Sequence, residues 1–410
     1  MDEVFEIRLP YLETLDRWRG TPLVKVLVGM RRVGKSTLLL QWRERLRRLH
    51  GVPDSHLLLI ERDSLEHADL ESWETFRTLV QDRFDGLAGP KVLLVDEVQL
   101  IEGWEKVVNA LHKQGDVDIY LTGSNAHLLS GELATLLSGR WVGLAVLPFG
   151  YAEHLSIRKA GHSSEEFQRW LRWGGLPALH HLPDDPVLRT QTLEAIHSTV
   201  LLHDVVARHE VRNVGVLERV VRYYFDQIGS LVSAKRIADY CKSQRLSVSV
   251  DSVQNYLHHL EGACAVSRVR RYDIRGRRHM EIQEKVYVTD LGLRNAVLRR
   301  GTEDIGALLE NAVQQELLRR GWSVSVGKVG DWEIDFVAER EGRREYFQVA
   351  YLLATPETVD REFRSLLAID DNFPKNVLSM DEMDLGRDGI RHVNVARWLL
   401  EDDRAGLRAP

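Results

Sequence analysis

The residues Gly29-Met-Arg-Arg-Val-Gly34-Lys35-Ser36 carry the densest chemistry in the chain. They satisfy G-x-x-x-x-G-K-S/T at each fixed position, the spacing of a loop that wraps phosphate. Glycines let the backbone curl until successive N–H groups point inward at an anion. A helix opening at the loop adds partial positive charge there. Lys35 is placed to reach the β and γ phosphates of ATP, and the Ser36 hydroxyl to ligate Mg²⁺. Arg31, Arg32, Val33 and Thr37 complete the expected nucleotide-binding set. About 60 residues on, Lys91-Val-Leu-Leu-Val-Asp96-Glu97 ends an apolar run in two carboxylates. Asp96 is expected to hold Mg²⁺ directly or through water, and Glu97 to orient and deprotonate an attacking water. In Asp118-Ile-Tyr-Leu-Thr122-Gly123-Ser124-Asn125, Ser124 reads as a polar sensor for the γ-phosphate or the lytic water; the plainer alternative is a helix N-cap. Arg140, in Leu137-Ser-Gly-Arg140-Trp141, is either a solvated arginine or a finger that reaches the γ-phosphate of a neighbouring subunit in a ring.

Those side chains need elements that deliver them to one edge. Residues 1–150 alternate short apolar runs (Leu23–Val28, Leu57–Ile60, Val92–Val95, Ile119–Leu121, Val142–Leu147) with amphipathic stretches such as Ser36–Leu49. That alternation predicts an α/β fold with a doubly wound parallel sheet, whose ligands bind at the carboxyl ends of its strands. Residues 151–300 read as mostly helical with a late β segment, and 305–400 mix one helix with strands. The expected division is a phosphate-loop core over 1–155, a helical lid or linker over 156–225, a winged-helix-like domain over 226–300 and an α+β domain over 301–410. The tail Glu401–Pro410 reads as loose.

The bulk composition leaves this reading open and excludes others. A chain of 410 residues exceeds one compact core. At 44% hydrophobic and 28% charged it is an ordinary globular sequence. A net charge of -6 does not describe a polycation that coats nucleic acid, so any such role must rest on a local patch. The cysteines Cys241 and Cys264 form no CxxC, which fits a reducing cytoplasm. No apolar run approaches the roughly 20 residues of a membrane span, and the N-terminus has no signal-peptide pattern. His181 and the doublet His258-His259 lack metal-ligand spacing.

The stretch from Gly20 to Leu155 resembles the AAA+-like ATPase domain found in many bacterial and archaeal proteins. GMRRVGKSTLL, VLLVDEVQLIEGWEKVVNAL, YLTGSNAHLL, LSGRWVGLAVLPFGYAEHL and the later WGGLP carry the resemblance. It implies an ATPase that works on nucleic acid, with a domain of unknown function behind it in which a winged helix and a nuclease-like fold are often inferred.

Residues 226–290 themselves read as a winged helix: helices over Val232–Lys242 and Val250–Leu260, then strands Ala265–Arg271 and Glu281–Val288 flanking a turn at Asp273–Arg278. The wing carries Arg268, Arg270, Arg271, Arg275, Arg277 and Arg278, with Tyr272 among them. Arginine forks suit phosphate, and a tyrosine can stack on a base. The other readings are a solvated hairpin or a contact with an acidic neighbouring subunit. Farther on, Glu310, Asp335 and Gln348-x-Ala350 resemble a PD-(D/E)xK nuclease core in which glutamine and alanine stand in place of the E-x-K residues. Gln348 is a poorer ligand for a hard cation and Ala350 removes the lysine, so no nuclease activity is expected. The leading expectation is an Mg-ATP-hydrolysing motor or switch, a homo-oligomeric ring with a hexamer favoured, acting on duplex or branched DNA. The alternative is a nucleotide-dependent regulatory or scaffold protein whose partner is another protein.

Overall fold

The computed structural model describes residues 8–126, 137, 139–209, 211 and 213–401. Most of the tail expected over Glu401–Pro410, and the segment 127–136 between Ser124 and Arg140, lie outside the described residues. The chain forms two compact units, Met1–Val146 with Gly262–Cys264, and Leu147–Glu261 with Ala265–Pro410.

The first unit is built on a five-stranded sheet in the order β2-β3-β4-β1-β5. The strands are β1 (Val24–Val28), β2 (Leu57–Glu61), β3 (Lys91–Asp96), β4 (Val117–Gly123) and β5 (Trp141–Ala145). Every pairing is parallel. β1 and β3 are buried along their whole length, as strands covered on both faces must be, which is why they read as mostly apolar runs; the buried Lys25 of β1 is paired with Asp118 Oδ1 at 2.5 Å. Val24, Val26 and Val28 pack with Leu93, Val95, Ile119 and Leu121 beneath α3 (Trp73–Phe84) and α4 (Trp104–Gln114). The opposite face meets α2 (Lys35–Arg48), whose Trp42 ring lies 5.5 Å from that of Tyr120 on β4. α1 (Leu9–Trp18) packs on α2, tied by Arg45 Nη2 to Asp16 Oδ2 at 2.6 Å. The decisive feature is the position of β4. It separates β1, which leads into the phosphate loop, from β3, which ends in Asp96, so their ends stand about 10 Å apart with the end of β4 between them.

The second unit begins with helices over Tyr151–Arg158, Ser164–Trp173, Pro186–Thr199 and Val214–Asp226. The WGGLP segment is a clasp there. Gly175 donates to Asp290 Oδ2 at 2.8 Å and accepts from Phe149 N at 2.7 Å. A Cβ on Gly175 would stand 2.0 Å from the Phe149 carbonyl oxygen, so no other residue fits so close an approach. Helices Ala234–Ser243 and Val250–Gly262 follow, then the hairpin of β7 (Val266–Asp273) and β8 (Arg278–Val288).

That hairpin does not stand free. It is part of an eight-stranded sheet in the order β13-β12-β11-β10-β9-β7-β8-β6. The remaining strands are β6 (Leu231–Val232), β9 (Ser323–Val329), β10 (Trp332–Arg340), β11 (Arg343–Val349), β12 (Lys375–Ser379) and β13 (Arg391–Asn394). β7 pairs parallel with β9, Tyr272 opposite Gly327, which covers an edge that a lone wing would expose. The wing and the C-terminal α+β region therefore share one sheet and one core, in which Tyr272 and Ile274 pack with Val329, Ile334, Tyr346 and Phe363. Among the described residues no helix is long and apolar enough to cross a membrane.

The helical part of this unit buries a histidine pair. His154 Nδ1 lies 3.0 Å from His180 Nε2, and His154 Nε2 lies 3.1 Å from Glu166 Oε2. Burial pushes both imidazoles down to about 4, although Glu166 pulls His154 the other way. The folded values lie below the ordinary 6.5, so the neutral ring contributes stability that is full above 6.5 and is lost as pH falls toward 4. Complete charging of one ring would cost on the order of 3 kcal/mol. The His154→Gln variant, which cannot be charged, should melt below the native protein at pH 7.5. The gap should narrow as pH falls to 5. A gap that stays constant across that range would contradict a neutral buried pair.

Candidate nucleotide site

The phosphate loop is made by β1 running into α2. At Gly29 a Cβ would stand 2.2 Å from the carbonyl oxygen of Val146, so the loop can start only from glycine. Arg32 and Gly34 take left-handed φ values of 66° and 92°, which turn the backbone back on itself. Lys35 opens the helix and is buried. Its ammonium donates to the loop's own carbonyls, Gly29 O at 2.9 Å and Met30 O at 3.2 Å, and lies 3.5 Å from Glu97 Oε1. Ser36 and Arg32 are exposed beside it, while Val33 is buried and its carbonyl accepts from Arg8 Nη1 at 3.2 Å. Arg31 and Thr37 are half-buried on the same loop and first helical turn.

Thr122, at the end of β4, joins the two carboxylates of β3. Its hydroxyl donates to Asp96 Oδ1 at 2.5 Å and accepts from the Glu97 backbone N–H at 3.0 Å. Glu97 holds a left-handed φ of 50°, a strained state for a residue with a Cβ that the Thr122 contact maintains. A short 3₁₀ turn, Val98–Leu100, follows and brings Gln99 back over Glu97. The Gln99 amide donates to Glu97 Oε2 and stands 3.5 Å from Ser124 Oγ. Ser124 is fully buried.

The two acids are driven apart electrostatically. Burial raises the Asp96 carboxyl above its ordinary value, although the Thr122 and Ser36 hydroxyls pull it down. Burial also pushes Glu97 up, but the Lys35 ammonium, the Gln99 amide, Arg31 and Ser124 outweigh it and hold that carboxyl below its ordinary value. Glu97 is therefore an anion at neutral pH, the state a base requires. The fit to Mg²⁺ follows from the donor set. Ser36 and Asp96 are bonded to each other, both are hard oxygen donors, and a cation beside Asp96 would offset the cost of burying its charge. Phosphate oxygens and water would fill the remaining positions.

Arg140 lies at the far edge. Its carbonyl accepts from Val24 N at 2.9 Å, at the start of β1, whereas the phosphate loop follows the end of that strand. A five-residue strand spans about 16 Å, so the exposed Arg140 does not meet the phosphate loop of its own chain. Sequence reasoning placed Lys35, Ser36, Asp96, Glu97 and Ser124 but missed Thr122 and Gln99. Thr122 sits two residues before Ser124, so alternation along β4 was the available signal for it, whereas Gln99 returns over Glu97 only through the left-handed Glu97 and the 3₁₀ turn, which the sequence does not mark.

In the second unit the wing arginines separate into two sets. Arg268 is bound to Glu261 and lies 3.3 Å from Glu284, which Arg270 also approaches, at 3.6 Å. Arg271 is half-buried. Tyr272 is buried, with the Arg344 guanidinium 5.2 Å above its ring and donating to its hydroxyl at 3.2 Å. Its ring is thus not offered to a base: the pairing of β7 with β9 turns it into the core. Arg275, Arg277 and Arg278 remain exposed at the turn.

Glu310 and Asp335, two of the residues that resemble a nuclease core, meet a lysine from β8. Ala350 is in the core, but Lys285 of β8 places its ammonium 2.9 Å from Glu310 Oε1, 2.9 Å from Asp335 Oδ1 and 3.0 Å from Glu333 Oε1. Gln348 donates to Glu362 Oε2 at 3.0 Å, and its side-chain oxygen accepts from the Asp335 backbone N–H at 3.4 Å. The Tyr287 hydroxyl donates to Glu310 Oε1 at 2.6 Å. Burial and the neighbouring Asp335 push Glu310 up to about 7, against the pull of Lys285. Lys285 stands at the centre that a divalent cation would need. The Lys285→Met variant should lose about 3–5 kcal/mol, the usual cost of stranding buried charge. The carboxylates left behind repel, so their folded values rise and stability falls further as pH passes upward through them. Chemical denaturation at pH 8 and pH 5 should show the larger deficit at pH 8; an equal deficit would contradict a charge-driven cluster.

The parallel sheet and its phosphate loop define the P-loop fold of the AAA-type ATPases. A family model described as an AAA domain matches residues 21–155, and one described as a domain of unknown function (DUF8612) matches 164–304. An uncharacterised protein of Haemophilus influenzae is 34% identical over 408 residues, covering 98% of this chain and 100% of that one. An uncharacterised protein of Methanocaldococcus jannaschii is 28% identical over 345 residues, covering 80% and 75%. Among solved structures, the Walker-type ATPase of Pyrococcus abyssi superposes with a TM-score of 0.50 at 17% identity, covering 72% of this chain and 97% of that one, which shows a shared fold. The chain belongs to the AAA-domain family that includes the H. influenzae protein.

Proposed function

We propose that this chain hydrolyses Mg-ATP and uses the cycle as a motor or switch on DNA, assembled as a ring. The observation that carries the hydrolysis reading is the ionised Glu97, held by Thr122 and Gln99, 3.5 Å from the phosphate-loop lysine. Lys35 would exchange its loop carbonyls for the β and γ phosphates. Ser36 and Asp96 would hold Mg²⁺, which supplies neutralisation of the phosphate charge when bound. Glu97 would take the proton of the attacking water, with Ser124 beside it.

The ring is supported by Arg140, whose place away from its own phosphate loop leaves it open to a neighbour's nucleotide; six copies is the favoured number. DNA is supported by Arg275, Arg277 and Arg278 at the wing turn, where guanidinium forks suit phosphate oxygens. A groove of about 740 Å³ beside Arg275 and Arg277 also contains Glu339, Glu341, Asp370 and Asp371. That mixture of charge favours the second reading, a protein partner carrying both signs. Lys285 at the centre of the Glu310–Asp335 cluster speaks against a metal-dependent nuclease.

Steady-state ATP hydrolysis with duplex, single-stranded and four-way-junction DNA tests these readings together. Lys35→Ala should abolish binding or turnover, and Glu97→Gln should bind ATP without cleaving it. Stimulation by one DNA form, lost when Arg275, Arg277 and Arg278 become alanine, is the expected result. Turnover indifferent to all three would transfer the proposal to a protein partner. Full turnover by Lys35→Ala would sink the site assignment.

A further inference from the structure

We propose that Gln99 is a catalytic residue whose side-chain oxygen, with the Glu97 carboxylate, holds the water that attacks the γ-phosphorus. The proposal rests on the hydrolysis reading above. Its basis is the orientation of one carboxamide. Gln99 Nε2 donates to Glu97 Oε2 and approaches Ser124 Oγ at 3.5 Å. The opposite orientation would set an acceptor oxygen against a carboxylate, so the arrangement is fixed by charge rather than chosen freely. Gln99 Oε1 then points away from Glu97 Oε2. It is buried and accepts no hydrogen bond among the described residues. A buried acceptor without a donor costs free energy and is kept where a ligand or reactant supplies the donor.

The surroundings define that donor. Glu97 Oε1 faces Lys35 Nζ at 3.5 Å, the side on which the γ-phosphate would lie. A group that bridges Glu97 and Gln99 must donate twice, once to an anion and once to a neutral oxygen, and be small enough to share a pocket with phosphate. Water meets all three conditions. One of its hydrogens would go to Glu97 and the other to Gln99 Oε1, which leaves a lone pair directed at phosphorus. In the step itself the water oxygen bonds to the γ-phosphorus. The bond from phosphorus to the bridging oxygen breaks, and ADP leaves with that electron pair. Glu97 accepts one proton and later releases it to solvent. The second proton stays with the phosphate product. Gln99, being neutral, accepts no proton and acts through direction alone, as water-orienting glutamines do in other phosphoryl-transfer sites.

Gln99 holds Glu97 as well, so the test must separate touching the water from bracing the base. The full chain would be used with three readouts: single-turnover hydrolysis, the Kd for a fluorescent ATP analogue, and the Kd for ADP with aluminium fluoride, which imitates the transition state with its in-line water. Gln99→Leu should cut hydrolysis 100- to 1000-fold, the loss typical of one transition-state contact. Its ATP-analogue affinity should stay within about threefold, while the aluminium fluoride complex weakens at least tenfold. Gln99→Glu keeps the length and supplies oxygen acceptors, but it sets a like charge on Glu97. It should be slow at pH 8 and gain on the native protein as pH falls toward 6, where its protonated form again donates and accepts. Two outcomes would overturn the assignment: a Gln99→Leu rate within threefold of native, or equal loss of affinity for both nucleotide complexes, which a purely structural role gives. A native chain that binds nucleotide without cleaving it would remove the hydrolysis reading and this one together, and is told apart by Gln99→Leu being irrelevant to it.

Discussion

One hydroxyl joins the working parts of the nucleotide site. Thr122 donates to Asp96 and accepts from the backbone of Glu97, so it fixes the metal-side acid and the left-handed turn of the base at once. It can do so only because β4 lies between β1 and β3. That position sets Thr122 beside Asp96 and Glu97, and Ser124 near Gln99. The strand order thus sets the chemistry: a cation from β1's loop, an anion from β3, and neutral hydroxyls from β4 to orient both.

Electrostatics follows from that spacing. Asp96 and Glu97 are adjacent and both buried, yet their carboxyls move in opposite directions. Glu97 has Lys35, an amide and a hydroxyl around it. Asp96 has two hydroxyls and the repulsion of Glu97. The same covalent group serves as a charge waiting for a cation in one place and as a ready base in the other.

The second unit applies the same rule to a different end. There a single ammonium, Lys285, meets Glu310, Asp335 and Glu333 at about equal distances, and burial with the neighbouring Asp335 pushes the Glu310 carboxyl up to about 7. A constellation whose outline resembles a nuclease site is held together as an internal salt cluster. The wing shows a parallel change of role. Once β7 pairs with β9, Tyr272 enters the core and Arg268 is taken up by Glu261 and Glu284, while Arg270 and the turn arginines Arg275, Arg277 and Arg278 face solvent.

The sequence by itself determined the phosphate loop, the acids at the end of β3 and the α/β alternation around them. Those signals are local: a glycine pattern, an apolar run and a helix start depend on residues within a few positions of one another. The hairpin turn at Asp273–Arg278 and a helix over Gly306–Arg319, observed as Ile305–Arg319, were legible for the same reason. Tertiary structure alone decided which strand stands between β1 and β3, that Arg140 lies at the far end of the sheet from its own phosphate loop, and that Lys285 stands among Glu310, Glu333 and Asp335. Each of these depends on pairing between segments distant in sequence, where register and burial choose the partner and no local pattern records the choice.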